Sequence, residues 1–379
     1  MKAVRTAQAH LLARQQSVRR ALTELKLDGL LLTHPADLAY LSGFTGDDSI
    51  GLITARNFFL ITDFRYEEQY QIEAPWLNVT LRTGKMSEAL AKAILKSKAT
   101  RIGFESNFTP FGQVDSLKRQ LKATARKNPA AARVNLTGVD DVMVNIRKGK
   151  DDVEVGIIRQ AIDCAEQAFL ALRKQIKIGQ TENYLAGLLG FEMRCRGASD
   201  SSFQTIIAAG AGSSLPHYRP GDVTVKHNEP LLIDWGARYQ GYCSDLTRTL
   251  LIGRVSPKIR EIYKIVLDAQ LAAIDRLRPG VTTRDVDKVA RGLIKKAGYD
   301  KQFGHGLGHG IGRDIHELPV LRKIGEGEEL KPGMIVTVEP GIYLPGVGGV
   351  RIEDDVLITP GGHEVLSSLD KSIEGCHLE

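Results

Sequence analysis

The sequence predicts an α/β domain in residues 1–145, followed by an α+β domain in residues 146–379 that is built from two similar halves. Three observations lead to this fold class. Short apolar runs alternate with helical patterns in the first domain. In the second domain a helix–turn–helix pattern recurs after 101 residues, and each copy runs into apolar strands that contain carboxylates.

The first domain begins with a helix and continues with strands and helices. The apolar patterning predicts a helix to residue 26, strands at 29–33 and 58–62, a helix at 86–98 and a strand at 102–105. Residues 147–150, Arg-Lys-Gly-Lys, are predicted to be a linker. Asp151 then opens a long helix, because carboxylates in the first turn favour a helix N-terminus.

The second domain contains the same pattern twice. In each copy a helix is followed by a Gly-x-Thr turn and by a second helix that ends at a glycine. The matched positions are Gly179 with Gly280, Thr181 with Thr282, and Gly197 with Gly298. The constant offset of 101 residues indicates a domain with internal pseudo-twofold symmetry.

Each copy then enters an apolar strand that holds one acidic residue and returns along a strand that holds another. These residues are Asp234 and Asp245 in the first copy, and Glu339 and Glu353 in the second. If Asp234 faces Asp245, the turn centres between Tyr239 and Gln240, and if Glu339 faces Glu353, it centres on Gly346. Directly opposed side chains have Cβ atoms about 5 Å apart, so we expect two opposed carboxylate pairs.

Residues 304–317 are rich in glycine and histidine. Glycines occupy every even position from 304 to 312, a density that costs roughly 1 kcal/mol per glycine in a helix interior. We therefore expect an extended segment on which His305 and His309 share a face, while the glycine face lets another backbone approach. Gly306 after His305 excludes the HExxH zinc motif, and no frame completes a dinucleotide fingerprint. A glycine-rich strand with incidental histidines is the alternative.

Four carboxylates in apolar strands need partners, because an uncompensated buried carboxylate costs several kcal/mol. Arg248 and Arg351 are one set of candidates. The other is divalent cations that the four carboxylates share, with His309 as the fifth ligand. An oxygen-rich set with one imidazole suits Mn²⁺, Co²⁺ or Zn²⁺, and bridging carboxylates hold two metals about 3.5–4 Å apart.

This constellation resembles the pita-bread metallopeptidases, which include aminopeptidase P, prolidase and methionine aminopeptidase. The resemblance covers the whole second domain and implies two divalent ions, expected to be Mn²⁺ with Co²⁺ or Zn²⁺ as alternatives. The residues that match the family's metal ligands are Asp234, Asp245, His309, Glu339 and Glu353. Three further histidines match active-site positions of the family, and these are His316, His217 and His305.

The resemblance also implies catalytic roles. Glu339 would act as general base toward the attacking water and later help to deliver a proton to the proline nitrogen. His316 would donate to the developing oxyanion, with His217 and His305 lining the pocket and helping with proton transfer. Arg351 lies two residues before Glu353 on the same strand face and is expected to hold a ligating carboxylate in place.

Residues 1–145 resemble the creatinase/aminopeptidase P N-terminal domain, which methionine aminopeptidases lack. The chain is therefore predicted to be an aminopeptidase P-like exopeptidase that hydrolyses the Xaa-Pro bond of peptides with proline at the second position. An Xaa-Pro dipeptidase (prolidase) is the alternative. It is less favoured because the insertion that carries a carboxylate-reading arginine in eukaryotic prolidases is missing after His316, and Arg322 is not a secure match. A non-catalytic pita-bread protein that binds peptides is the alternative from another class.

Composition limits the partners and the compartment. The net charge is +6, and residues 115–150 hold nine Lys/Arg against three Asp/Glu, but no aromatics interleave with them. We expect a solvated basic face and no nucleic-acid partner.

No run of about 18 apolar residues predicts a membrane span. The start of the chain, residues 1–6, leads into an amphipathic helix, and the four cysteines are scattered, so we expect a cytoplasmic protein and, from the prevalence of twofold symmetry, a homodimer.

Overall fold

A computed structural model describes residues 2–379, with side chains described from residue 9 onward. The predicted amphipathic start of the chain, residues 1–6, lies outside the described side chains. The chain divides into two units, Met1–Ile146 and Arg147–Glu379. Whether these units are domains that fold independently, with a boundary between residues 145 and 146, stays a prediction.

The first unit is a six-stranded sheet with helices on both faces. Its strands are β1 (Gly29–Leu32), β2 (Ile50–Thr54), β3 (Phe58–Thr62), β4 (Asn78–Leu81), β5 (Arg101–Glu105) and β6 (Asn135–Val139). Its helices are α1 (Lys2–Glu24), α2 (Pro35–Ser42), α3 (Glu67–Glu73), α4 (Met86–Ser97), α5 (Phe111–Ala125) and α6 (Val142–Arg147), which ends on the first residue of the second unit.

The strand order of this sheet is β4-β3-β2-β1-β5-β6. Strand β2 pairs antiparallel with β1 and β3, and the other neighbouring pairs are parallel. Leu30 and Leu32 belong to one apolar cluster and Leu31 to another, because successive strand residues point to opposite faces. The α/β class is therefore confirmed for the first unit.

The second unit contains two long helix pairs and several sheets. Its helices are α7 (Asp152–Arg173), α8 (Glu182–Cys195), α9 (Pro257–Arg276) and α10 (Thr283–Lys296). Its strands are β7 (Asp200–Ser201), β8 (Ile206–Ala209), β9 (Pro230–Trp235), β10 (Ala237–Tyr239), β11 (Tyr242–Cys243), β12 (Leu246–Ile252), β13 (Gly308–Gly310), β14 (Glu317–Leu321), β15 (Ile335–Val338), β16 (Gly341–Leu344), β17 (Gly348–Arg351), β18 (Asp354–Thr359), β19 (Gly362–Val365) and β20 (His377–Leu378).

The two halves of the second unit each contribute one larger sheet. The first has the order β20-β12-β9-β8 and the second the order β14-β13-β15-β18-β19. Two smaller sheets, β11-β10-β7 and β16-β17, continue the hairpins. A large apolar cluster packs Phe169 of α7 and Ile262 of α9 with Ile233 of β9 and Val336 of β15. Both halves thus share one core.

The predicted duplication is confirmed in the backbone. Thr181 and Thr282 are the N-caps of α8 and α10, and the side chain of each accepts a hydrogen bond from a backbone N–H three residues on. The matched glycines before and after these helices all have positive φ, at 86° and 82° for the first pair and 96° and 89° for the second. Glycine adopts this conformation without strain, so the same turn chemistry forms both copies.

Residues 147–150 are packed within the second unit and do not form a free linker. The side chains of Arg147 and Lys150 are 3% and 1% exposed, and both form ion pairs with Glu317. Asp151 caps α7 as predicted, since its carboxylate accepts from the N–H of Glu154 and its own N–H donates to the Glu154 side chain. None of the described helices combines the length and the apolar character that a membrane span needs.

Candidate metal centre

Five side chains from both halves of the second unit converge at the ends of the central strands. Asp234 lies on β9, Asp245 just before β12, His309 on β13, Glu339 just after β15, and Glu353 between β17 and β18. Asp245, His309 and Glu353 offer ligand atoms that all lie within 4.8 Å of one another. The Nε2 atom of His309 is 3.4 Å from Asp245 and 3.6 Å from Glu339. The structure therefore brings four of the predicted ligand residues together, and the fifth, Asp234, is close enough to raise the pKa of Asp245.

The first hairpin differs from the predicted register. Asp234 lies opposite Thr247, and the pairing continues through Arg238 with Cys243 to a two-residue turn at Gln240 and Gly241. The expected direct pairing of Asp234 with Asp245 is therefore wrong by two residues. The cause is the turn, in which φ is +46° at Gln240 and +80° at Gly241, as expected for the type I′ turn that matches strand twist.

The second hairpin has the predicted register. Gly341 pairs with Arg351 and Leu344 with Gly348, so the turn centres on Gly346. Glu339 and Glu353 lie where the ladder is interrupted, and Glu353 instead forms an antiparallel bridge with Thr247 of the first half. The Thr247 hydroxyl donates to the Glu353 carboxylate over 2.6 Å. A residue of one half thus positions a carboxylate of the other.

The glycine- and histidine-rich segment is a strand only at Gly308–Gly310. The predicted extended face is shorter than expected, since Leu307 and Ile311 pack into different apolar clusters. The role predicted for the glycines is confirmed. A Cβ at Gly308 would lie 2.0 Å from the carbonyl oxygen of Thr337, and one at Gly310 would lie 2.2 Å from that of Leu318.

His309 presents a lone pair to the carboxylates. Its Nδ1 lies 2.9 Å from the carbonyl oxygen of Gly310. Because a carbonyl can only accept, Nδ1 carries a proton, and in the neutral imidazole the lone pair is therefore on Nε2, toward Asp245 and Glu339. Imidazole ligands of metals are oriented in this way.

The electrostatics of the cluster call for a cation. Burial, followed by the neighbouring carboxylates, raises the pKa of Asp245 and of Glu353 well above the ordinary range. Burial also raises the pKa of Glu339 to about 7, and it raises that of Asp234 against the opposing charge of Arg351. The Oδ1 atom of Asp234 is buried and has no hydrogen-bond partner among the described residues. These acceptors, with one imidazole, fit a divalent first-row metal.

Arg351 contacts the carboxylate cluster, whereas Arg248 forms its ion pair elsewhere in the core. Arg351 forms an ion pair with Asp234 and donates through Nε to the Thr247 hydroxyl over 3.2 Å, as expected for a group that holds a ligating carboxylate. Arg248 pairs with Asp354 over 2.7 Å. Among the described residues, direct pairing with an arginine therefore compensates Asp234 and none of the other three carboxylates.

His305 is held on both sides of its ring. Its Nδ1 lies 2.8 Å from the carbonyl oxygen of Gly306, and its Nε2 lies 2.8 Å from the hydroxyl of Tyr343. The same hydroxyl accepts from Arg351 over 3.0 Å, so it donates to His305. Burial and the charge of Arg351 lower the pKa of His305 to about 4. Both ring nitrogens are occupied, and this arrangement argues against the proton-transfer role predicted for His305.

His316 and His217 are more exposed. The ring of His316 lies edge-on to that of His309 with centroids 4.4 Å apart. Burial and the neighbouring His309 and His217 lower its pKa. His217 is exposed on the loop before β9 and is close enough to influence the pKa of Asp234, His305 and His316. His316 is thus a neutral imidazole at the edge of the carboxylate cluster.

Sequence reasoning missed three hydroxyl residues of the site. Thr247 and Tyr343 hold Glu353 and His305, and Thr337 accepts from the backbone N–H of His309 over 3.0 Å. Each lies two or four residues from a predicted ligand on the same strand path. The period of two that places side chains on one face of a strand could have identified them.

Comparison with known proteins agrees with this architecture. The model of metallopeptidase family M24 matches residues 156–360, and the model of the creatinase/prolidase N-terminal domain matches residues 14–147. A Xaa-Pro dipeptidase of Pyrococcus horikoshii is 34% identical over 352 residues, which cover 92% of this chain and 94% of the relative.

Solved structures give the same result. A Xaa-Pro dipeptidase from Bacillus anthracis superimposes with a TM-score of 0.90 at 36% identity, covering 97% of this chain and 100% of the other. An X-Pro aminopeptidase from Thermotoga maritima has a TM-score of 0.83 at 37% identity, with coverages of 92% and 97%. The chain belongs to metallopeptidase family M24 and carries a creatinase/prolidase N-terminal domain before a pita-bread catalytic domain.

Proposed function

We propose that the protein is a metal-dependent Xaa-Pro dipeptidase. The observation that carries the proposal is the convergence of four carboxylates and His309, in a chain 36% identical over 97% of its length to a Xaa-Pro dipeptidase. This proposal replaces the aminopeptidase P-like activity expected from the sequence. The missing insertion after His316 favours an aminopeptidase P, but it is weaker evidence than the similarity to Xaa-Pro dipeptidases over the whole chain.

Two divalent ions are proposed to be held by Asp234, Asp245, His309, Glu339 and Glu353. Mn²⁺ is the expected ion, with Co²⁺ or Zn²⁺ as alternatives. When bound, such ions polarise the scissile carbonyl and lower the pKa of water. Arg351 would keep Asp234 ionised and oriented, and Thr247 would do the same for Glu353.

The remaining steps belong to side chains of the protein. Glu339 would accept a proton from the attacking water and return it to the proline nitrogen. His316, as a neutral N–H donor, would stabilise the oxyanion. His217 would line the substrate side of the site, and we propose for His305 a positioning role only.

Proline explains why such a site is specialised. The Xaa-Pro bond has no N–H, and the ring restricts the residue before it, so a protease that grips an extended backbone handles it poorly. An exopeptidase can recognise the free N-terminus instead. A homodimer remains our expectation, and light scattering measures it.

Substrate length tests the proposal. Purified protein loaded with Mn²⁺ should cleave Xaa-Pro dipeptides with a kcat/KM at least about tenfold above Xaa-Pro-Xaa tripeptides, since differential transition-state binding sets this ratio. A chelator should abolish the activity, and added Mn²⁺ should restore it. If tripeptides are cleaved equally well or better, the protein is an aminopeptidase P. This is the second candidate function because the chain is also similar to the X-Pro aminopeptidase of Thermotoga maritima. Metal binding without hydrolysis of any of these peptides would indicate the non-catalytic alternative.

A further inference from the structure

A buried cluster of charges lies at the start of the second unit, outside the metal site. Arg147 and Lys150 have side chains 3% and 1% exposed, and that of Glu317 is 4% exposed. Lys150 Nζ lies 3.0 Å from Oε2 of Glu317, and Arg147 pairs with Oε1 of the same carboxylate. Charged side chains are rarely buried without a specific partner, and here both cations share the partner Glu317.

The Glu317 carboxylate also fixes the backbone next to His316. Its Oε1 accepts from the N–H of Asp314 over 3.1 Å. The Asp314 side chain in turn pairs with Arg147 over 2.5 Å. Asp314 and Glu317 flank His316 on its two sides, and Glu317 is the first residue of β14. The turn that carries His316 is thus tied at both ends to one guanidinium.

The turn that carries His316 lies outside the strand pairing of β13 and β14. Strands β13 and β14 change register between His309 and Gly310, so that Gly310 pairs with Glu317. This irregularity places His316 outside the ladder, where no strand pairing orients it. Burial opposes ionisation of Glu317, but Lys150 and Arg147 outweigh it and hold its pKa below the ordinary value. The carboxylate is therefore charged at neutral pH.

We propose that Arg147, Lys150 and Glu317 form a charge clamp that positions His316 for the reaction. The three are positioning residues, because they act on the substrate only through the imidazole. The kinetic part of this inference rests on the proposed peptidase activity. The clamp itself can be tested without turnover.

The test uses Lys150→Met, which leaves Glu317 paired with Arg147, together with Lys150→Arg as the conservative variant. Lys148→Met is the matched control, since Lys148 lies in the same segment and pairs with Glu328. We expect kcat on an Xaa-Pro dipeptide to fall about tenfold in Lys150→Met, as for a small displacement of a catalytic group. KM and metal content should change little, and Lys150→Arg should recover most of kcat.

A double variant decides whether the effect passes through His316. In a His316→Ala background, Lys150→Met should cause no further loss, because the group that it displaces is gone. An equal loss in both backgrounds, or an equal loss in Lys148→Met, would overturn the proposal.

Histidine NMR provides the readout that is independent of activity. The His316 imidazole signals, identified by their absence in His316→Ala, should shift or broaden in Lys150→Met and stay unchanged in Lys148→Met. Unchanged signals in a folded Lys150→Met protein would contradict the clamp even if no peptide is cleaved. Should Lys150→Met not fold, Lys150→Arg and Glu317→Asp are compared in the same way, and unaltered His316 signals in both would overturn the proposal.

Discussion

His316 and His305 have opposite environments, although both were assigned to catalysis from the sequence. His316 is exposed beside His309, and its lowered pKa leaves it neutral at pH 7. His305 is enclosed between the Gly306 carbonyl and the Tyr343 hydroxyl. A side chain that acts on substrate needs a free donor, and His316 alone of these two is placed to supply one.

His316→Ala should therefore lower kcat without removing metal. We expect a fall of roughly 10²-fold, as for the loss of one oxyanion donor, with unchanged melting temperature and metal content by atomic absorption. His305→Ala is the comparison, and it should lower stability by about 1–3 kcal/mol because the Tyr343 hydroxyl loses its acceptor. If metal content falls with activity in His316→Ala, His316 is a ligand and the proposed role is wrong.

At the scale of elements, one turn decides the geometry of the first carboxylate pair. Gln240 and Gly241 both adopt positive φ, and this shifts the pairing of Asp234 from Asp245 to Thr247. An Asn-Gly pair is the common sequence for such a turn, because asparagine tolerates positive φ better than glutamine does.

Substitutions in this turn should change stability in opposite directions. Gln240→Asn should raise the free energy of unfolding by a few tenths of a kcal/mol, whereas Gly241→Ala should lower it by about 1–2 kcal/mol, the cost of a Cβ in the left-handed region. Gly187→Ala in α8 is the control, and it should stabilise by about 0.5–1 kcal/mol because a helical alanine replaces glycine. Urea denaturation measures all three. Equal losses in Gly241→Ala and Gly187→Ala would contradict this explanation.

The contrast between the two hairpins shows what the sequence could predict. Gly346 marks the second turn, and the register of Glu339 with Glu353 was predicted from it. Gln240 gives no such signal, since a non-glycine residue with positive φ is uncommon, and the first register was predicted wrongly. Strands β2, β4 and β6 were missed because their apolar runs are interrupted, by Gly51 in β2, by Thr80 in β4, and by a threonine and a glycine in β6.

The candidate site was largely predictable for a different reason. Its ligands lie in strands with a period of two and within an internal duplication, so local patterns carry the information. The contact of Arg147 with Glu317 joins residues 170 positions apart, and the local pattern of neither segment points to the other. Charge clusters formed by such distant residues cannot be derived from periodicity, and residues 147–150 were mistaken for a linker.

At the scale of the whole molecule, the metal site should link stability to pH. In the metal-free protein burial raises the pKa of Glu339 to about 7 and of Asp355 to about 8, above the unfolded values of about 4. Folding therefore retains protons that the unfolded chain releases. The resulting stability is complete below about pH 4 and is lost as pH rises through 7–8.

The melting temperature of chelated protein should accordingly fall between pH 6 and pH 8.5. Protein saturated with Mn²⁺ should fall less, because metal replaces the protons on its ligands. Calorimetry of both forms at each pH gives the difference between their melting temperatures. The contributions of titrating groups away from the site cancel in this difference. Parallel curves for the two forms would show that Glu339 does not bind the ion.

The bridge between Thr247 and Glu353 makes the two halves of the second unit structurally dependent on each other. Each copy now completes a side-chain contact that the other needs, and the backbone N–H of Asp245 is bound by Asp355 of the second copy. Neither half could therefore be removed or replaced without loss of a contact that orients a carboxylate region of the other.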